Sequence, residues 1–233
     1  MILAGGRGTR LRPYTVVLPK PLMPIGEYPI LEVIVRQLAA QGFGRLTIAL
    51  NHQANLIQTF FGDGSKWSLQ IDYSVESQPL STVAPLTLID DLPDAFLLMN
   101  GDVLTDLRFA DLLTLHAGSG ALFTVAASRR THTIDYGVLE IDDTSQLTSF
   151  KEKPTVNYLV SMGVYGVSKR VLSMVPPGKP YGFDDLMRDL LAKGERVAIH
   201  PHDGYWADIG RPDDYMQAID AFDGLKHRLL AHG

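Results

Sequence analysis

The sequence predicts an α/β fold in which a mixed, mainly parallel sheet is covered by helices on both faces. Short apolar runs at Met1-Ile2-Leu3, Arg45–Leu50 and Ala95–Met99 stop abruptly and read as buried strands. Between them apolar residues recur at helical spacing: Leu31, Ile34, Val35 and Leu38; Leu56, Ile57, Phe60 and Phe61; Phe109, Leu112, Leu113 and His116. Strand alternating with helix is the pattern of crossover connections between parallel strands. With 233 residues and 45% apolar content, the chain can bury a substantial core as a single domain, 1–233.

Each element has a local reason. The helix from Ile30 ends at Gly42, and the strand to Leu50 follows. The helix around Leu56 to Phe61 is stopped by Gly62-Asp63-Gly64, Ile71, Tyr73 and Val75 alternate as a strand, and Val83 to Ile89 suits a helix. From Ala121 the rhythm changes. Leu122 to Ala126, Tyr136 to Ile141, Leu147 to Phe150 and Leu159 to Val167 are strand-like, with a turn at Asp142-Asp143-Thr144-Ser145. Helical segments are expected at Lys169 to Met174 and Asp184 to Lys193. Short strands are expected at Val197 to His200 and Tyr205 to Ala207, and a last helix begins near Pro212 and carries Tyr215, Ile219 and Phe222 on one face.

Composition narrows the function classes. The 26 acidic residues outnumber 21 Lys and Arg, and a net charge of -5 disfavours a nucleic-acid or membrane-surface partner. Without cysteine there is no disulfide framework, thiol nucleophile or cysteine zinc site. No apolar stretch has the length of a membrane span, and nothing resembling a signal peptide precedes Ile2-Leu3, so a cytoplasmic protein is expected.

The chemistry concentrates at the start. Ala4-Gly5-Gly6-Arg7-Gly8-Thr9-Arg10-Leu11-Arg12 follows the first strand, then Leu18-Pro19-Lys20-Pro21-Leu22. Arg7, Arg10, Arg12 and Lys20 all precede the first acidic residue, Glu27. A strand, a glycine-rich loop and a helix in that order offer backbone N–H groups to a phosphate chain. The P-loop spacing is absent, and the dinucleotide fingerprint meets Leu11 where its third glycine belongs, which disfavours a dinucleotide-dependent oxidoreductase.

These two segments together closely resemble the signature of the sugar-1-phosphate nucleotidylyltransferases, and in particular of mannose-1-phosphate guanylyltransferase-like members. Two further stretches resemble the same family: Asn100-Gly101-Asp102-Val103-Leu104-Thr105-Asp106, and Trp206-Ala207-Asp208-Ile209-Gly210. Taken singly, either aspartate reads as a strand-end or turn residue that bonds backbone; the resemblance supplies their pairing as magnesium ligands. Glu76-Ser77-Gln78-Pro79-Leu80-Ser81-Thr82 is similar to the base-recognition segment, with Ser81 and Ala84 where glycines are usual and Val83 where alanine is common. Tyr136-Gly137-Val138 and Phe150-Lys151-Glu152-Lys153-Pro154 resemble sugar-side elements, although Lys151-Glu152-Lys153 equally suits a solvated face. Ser161 stands where asparagine is usual. His200-Pro201-His202-Asp203 has ligand-like spacing but no completing ligand, and reads as a polar loop.

The resemblance runs from Leu3 to about Tyr215 and implies a Rossmann-like three-layer α/β/α sandwich with a small sugar-binding β-rich insertion, its nucleotide half about 1–120 and its sugar-phosphate half about 121–233. It implies transfer of a nucleotidyl group from a nucleoside triphosphate to a sugar 1-phosphate, with Mg2+ as cofactor. Arg10, Lys20, Asp102 and Asp208 would be catalytic, and both aspartates metal ligands. Leu3, Ala4, Gly5, Gly6, Gly8, Thr9, Arg10, Glu76, Pro79, Ser81 and Thr82 would bind the nucleotide; Gly137, Glu152, Lys153 and Trp206 would bind the sugar phosphate. A carboxylate at Glu76 favours GTP, because guanine presents two adjacent donors. UTP or dTTP use, and a non-catalytic sugar-nucleotide-binding homologue motivated by Ser81 and Ala84, are the alternatives. Self-association into a homo-oligomer stays open. Relatives have a few more residues before the first strand, which suggests a shortened start. The absence of hexapeptide repeats argues against an appended left-handed β-helix.

Overall fold

The computed structural model describes residues 1–6, 8–51 and 53–230; Arg7, counted above among the loop cations, lies outside the described residues. The chain opens with β1 (Ile2–Leu3), three 3-10 turns and a small hairpin of β2 (Pro24–Ile25) and β3 (Tyr28–Pro29), then α1 (Ile30–Ala40), β4 (Arg45–Leu50), α2 (Ala54–Phe61), β5 (Gln70–Val75), β6 (Ala95–Asn100), β7 (Val103–Thr105) and α3 (Phe109–Ser119). The second half runs β8 (Phe123–Thr133), β9 (Val138–Ile141), β10 (Leu147–Lys151), β11 (Thr155–Ser168), α4 (Phe183–Ala192), β12 (Val197–His202), β13 (Trp206–Asp208) and α5 (Pro212–Leu230).

Seven strands form the central sheet in the order β12-β8-β11-β6-β1-β4-β5. Only β11 runs against its neighbours, so the sheet is mixed and mainly parallel, as expected. Alternation along β6 explains the three layers. Leu97 and Met99 face α1, α2 and α3 together with Ile34, Ile57 and Phe109; Phe96 and Leu98 face α4 with Leu186 and Leu190. Each such fully buried aliphatic or aromatic side chain stabilises the fold by about 1.5–3 kcal/mol. A third apolar cluster clamps α5 onto the small hairpin and β7 through Ile25, Leu104, Tyr215 and Phe222.

Several expectations are corrected. α1 begins at Ile30 as expected, but a 3-10 turn at Thr9–Leu11 and the β2–β3 hairpin stand between it and the glycine-rich loop. Val83 to Ile89 is a 3-10 turn over Ala84–Leu88 with Pro85 in its first turn, and Lys169–Met174 is likewise 3-10. Both segments are too short to bury a full helical stripe. The strand expected from Leu159 starts at Thr155, and β8 runs on to Thr133; the two pair through Thr155↔Thr133 as an exposed arm that carries the β9–β10 hairpin. His200 and His202 lie on β12, not in a loop.

Candidate active site

Strands β5, β4, β1 and β6 are neighbours and mutually parallel, so their C-terminal ends open on one edge of the sheet. In open α/β sheets ligands lodge outside such ends. The residues there are Glu76 past β5, Asn51 past β4, Gly5 and Gly6 past β1, and Asn100 and Asp102 at the end of β6. With Leu3, Pro79, Ser81 and Thr82 they line one cavity of about 340 Å³. The base segment is held by main-chain bonds to the stretch before α4: Tyr181 N–H donates to Leu80 O (3.1 Å), and Val83 N–H donates to Tyr181 O (3.0 Å). Thr82 Oγ1 accepts from Phe183 N–H (2.8 Å).

Ser81 adopts φ +71°, the left-handed conformation a glycine takes without cost, so the departure from the family's glycine is accommodated by strained backbone. Glu76 Oε2 accepts from Leu80 N–H (2.9 Å), while Oε1 has no protein partner among the described residues. Burial pushes the Glu76 carboxyl up, against the pull of that N–H.

The loop residues divide. Gly5 and Gly6 line the cavity, but Ala4 is buried and donates its N–H to Ala49 O (2.9 Å). Gly8 lies at φ +59°, and any Cβ there would come within 2.9 Å of Thr15 Cγ2; its carbonyl accepts from Thr15 Oγ1 (2.7 Å). Thr9 and Arg10 sit exposed in the turn that follows.

The acidic pair is assembled by β7 and β13. Val103, next to Asp102, is in register with Asp208, and Ile209 N–H donates to Asp102 O (3.0 Å). Lys20 is buried and ion-paired to Asp102 Oδ2, whereas Asp102 Oδ1 is buried with no hydrogen-bond partner. Burial, and then the Asp102 carboxylate, raise the Asp208 carboxyl above the ordinary aspartate value, while Lys20 and Arg10 pull it down. All four sequence-predicted catalytic residues therefore share one electrostatic environment. Tyr165, whose hydroxyl takes a bond from Ser161 Oγ (3.2 Å), feels both aspartates as well.

Asp208 faces a second cavity, about 680 Å³, with Arg10, Arg130, Trp206, Arg211, Asp214 and Gln217 among its lining. Trp206 is fixed there by Nε1–H donated to Met162 O (3.0 Å). Gly137 and Glu152 meet on the arm: a Cβ at Gly137 would stand 2.7 Å from the Phe150 ring and 3.3 Å from Glu152 Oε2. Neither these two nor Lys153 line either cavity.

Sequence reasoning missed Asn51, Asn100, Arg130 and Arg211. For Asn51 a signal existed, a polar residue closing a buried parallel strand as Asp102 does; for Arg211 it was the place directly after Trp206-Ala207-Asp208-Ile209-Gly210, while Arg130 lies on a stretch without a motif. Among the described residues no three or more His, Cys, Asp or Glu side chains cluster to cage a metal, and no helix is long and apolar enough to cross a membrane.

Known proteins carry the same layout. The chain is 33% identical over 94% of its length to a UTP–glucose-1-phosphate uridylyltransferase of Synechocystis sp. and 34% identical over 93% to a mannose-1-phosphate guanyltransferase of Yarrowia lipolytica. It covers 62% and 61% of those two proteins, so it spans about three-fifths of the length of these relatives. Among solved structures it is similar to HddC from Yersinia pseudotuberculosis complexed with GMP-PN, with a TM-score of 0.71, 26% identity and coverage of 95% of this chain and 97% of that one. A Bacillus anthracis protein assigned as a glucose-1-phosphate thymidylyltransferase, at TM-score 0.75, 23% identity and coverage of 94% and 92%, shares the fold. The profile of the nucleotidyl transferase family matches residues 1–223, a span that takes in the glycine-rich loop, the Lys20–Asp102 pair and Asp208. The chain belongs to the nucleotidyl transferase family.

Proposed function

We propose that the protein transfers a nucleotidyl group from a nucleoside triphosphate, GTP for preference, to a sugar 1-phosphate, giving a nucleotide sugar and pyrophosphate. The observation that carries the proposal is the Asp102–Lys20 pair set beside Asp208, with a cavity on each side. A phosphate oxygen of the acceptor attacks the α-phosphorus, the bond from that phosphorus to the bridging oxygen breaks, and pyrophosphate leaves with the electron pair. Two polyanions must meet in line, so catalysis is positioning and charge neutralisation and needs no side-chain nucleophile.

Leu3, Gly5 and Gly6 give the nucleotide a close main-chain wall, with Gly8 and Thr9 shaping the turn beneath it. Lys20 serves the attacked phosphate, and Arg10 the leaving pyrophosphate. The donor set suits magnesium: Asp102 Oδ1 is a buried acceptor without a partner, and two carboxylates suffice for an ion that completes its shell with phosphate oxygens and water. Asp102 and Asp208 would hold it; when bound, it draws charge from the phosphates and offsets the repulsion between the two carboxylates. On the acceptor side, Trp206 forms a wall beside Asp208, with Gly137, Glu152 and Lys153 contributed from the arm.

The preference for GTP rests on Glu76. One carboxylate oxygen is open, and the other takes only the Leu80 N–H, so the pair suits the adjacent N1–H and 2-amino donors of guanine. Uracil and thymine set carbonyl oxygens on either side of one N–H and meet repulsion.

The test is pyrophosphate release from a matrix of GTP, UTP, dTTP, ATP and CTP against hexose and heptose 1-phosphates, with magnesium and with excess chelator. Release with at least one pair, fastest with GTP and abolished by chelator, is the expected result. Tight nucleotide-sugar binding without release from any pair would instead support the non-catalytic reading that Ser81 and Ala84 motivate.

A further inference from the structure

The second cavity carries more positive charge than the reaction scheme has so far used. Arg10, Arg130 and Arg211 all line it, in a protein of net charge -5. None of the three has a carboxylate within ion-pair distance among the described residues, although Asp208 and Asp214 share the cavity. The contrast with the neighbouring residue on the same strand is direct: Arg129 pairs with Asp203 at 3.6 Å, and Arg130 turns instead onto Trp206. Its guanidinium carbon lies 4.6 Å from the Trp206 ring centroid, and its Nη2–H reaches Trp206 O at 3.3 Å. Trp206 is itself fixed by its bond to Met162 O. A stacked guanidinium is a planar cation held in place before a ligand arrives, with N–H groups left over to grip an oxyanion in pairs.

We infer that Arg130 and Arg211 form a clamp for the phosphate of the acceptor sugar 1-phosphate on the side of Asp208 away from the nucleotide cavity. This rests on the function proposed above. The position follows from topology. Asp102 lines the first cavity and Asp208 the second, and the β7–β13 pairing joins them, so a phosphate held by Arg130 reaches the aspartate pair from a cavity that Gly5, Gly6 and Glu76 do not line. That separation is what an in-line displacement between two phosphates requires. Lys153 lines neither cavity, whereas Arg130 and Arg211 are cations that the second half of the chain contributes to the cavity lined by Asp208.

The experiment compares wild type with Arg130→Met, which keeps a long apolar stem against Trp206 and loses the charge, and with Arg130→Lys. Steady-state rates should give a KM for the sugar 1-phosphate raised about tenfold or more in Arg130→Met, with KM for the triphosphate near the wild-type value and kcat falling far less. Arg130→Lys should recover only part of the loss, because an ammonium neither stacks as a plane nor bonds bidentately. An unchanged acceptor KM overturns the inference, and so does a rise in the triphosphate KM alone, which would assign the clamp to the leaving group. Calorimetric titration of each protein with glucose 1-phosphate, mannose 1-phosphate and inorganic phosphate gives a readout independent of turnover. Weaker phosphate binding in Arg130→Met supports the clamp even where no substrate pair releases pyrophosphate, and equal binding in the two proteins overturns it.

Discussion

The parallel half of the sheet and the β8–β11 arm are built from the same kind of element and behave as opposites. In the first, strands β1, β4 and β6 are buried on both faces, their side chains serve packing, and ligand-facing work falls to loops and backbone just beyond their ends. In the arm, Arg129 to Thr133 of β8 and Thr155 to Leu159 of β11 are exposed, and a cavity-lining side chain, Arg130, stands on the strand itself. A buried scaffold fixes a site by what cannot move. An exposed ribbon fixes one only where a side chain finds its own support, as Arg130 does on Trp206.

The comparison is broken most sharply at the cations of the buried half. Arg10→Ala and Lys20→Ala should each lower kcat by roughly 10² to 10³, the scale of losing one preorganised charge-stabilising group. They should differ in stability: Lys20→Ala leaves the Asp102 carboxylate without its counter-ion and lowers Tm, whereas exposed Arg10 can be removed with Tm unchanged. Pyrophosphate release and thermal melting followed by circular dichroism check both halves of this, and near-normal turnover in a folded variant would remove Arg10 or Lys20 from the mechanism.

Next in size is packing. Ile48 is fully buried on β4, and Ile141 is 63% exposed at the end of β9. Ile48→Ala should cost about 2–5 kcal/mol, while Ile141→Ala should stay within roughly 0.5 kcal/mol. Urea titration measures the two, and similar losses would mean that the arm is covered in solution.

Base choice is smaller. Glu76→Gln should cut the preference for GTP over UTP by about tenfold to a hundredfold, because an amide donates where the carboxylate only accepts. The same relaxation should appear in the wild type as pH falls. Burial raises the Glu76 carboxyl, so the side chain gains its proton at a higher pH than a free glutamate and begins to donate there. Competition between GTP and UTP across acidic to neutral pH checks both; a ratio that is flat in pH and unaltered by the substitution would show that Glu76 does not read the base. The smallest effect belongs to Ser81→Gly, which removes a side chain from a left-handed residue and should raise stability by up to about 1 kcal/mol, read as a shifted urea midpoint with unchanged slope.

The buried half was legible because burial writes itself into sequence. Ile48 to Leu50 and Phe96 to Met99 are apolar on both faces, and that pattern has few readings. The outer part of β8, Arg129-Arg130-Thr131-His132-Thr133, is polar on both faces, so nothing announced that the strand continues or where its side chains lie. Prolines hid the β2–β3 hairpin, since Pro24 and Pro29 open and close it. In the site, the glycine loop, Lys20, Asp102 and Glu76 were readable as local segments. That Asp208 stands beside Asp102 was not, because their proximity depends on two three-residue strands whose pairing leaves no local pattern.

The pairing of β7 with β13 also has a consequence in time. Asp102 and Asp208 are about a hundred residues apart in the chain, and the Ile209 N–H to Asp102 O bond joins them only when β13 docks. A polypeptide synthesised from its N-terminus exposes the glycine loop, Lys20 and Asp102 long before Asp208 leaves the ribosome. The base segment waits for Tyr181 and Phe183, which hold it through their main-chain atoms, and the acidic pair is later still, a non-local contact made after both. Under the proposed function, competence for nucleotidyl transfer thus reports on completion of the fold, because the two aspartates meet only in the finished sheet.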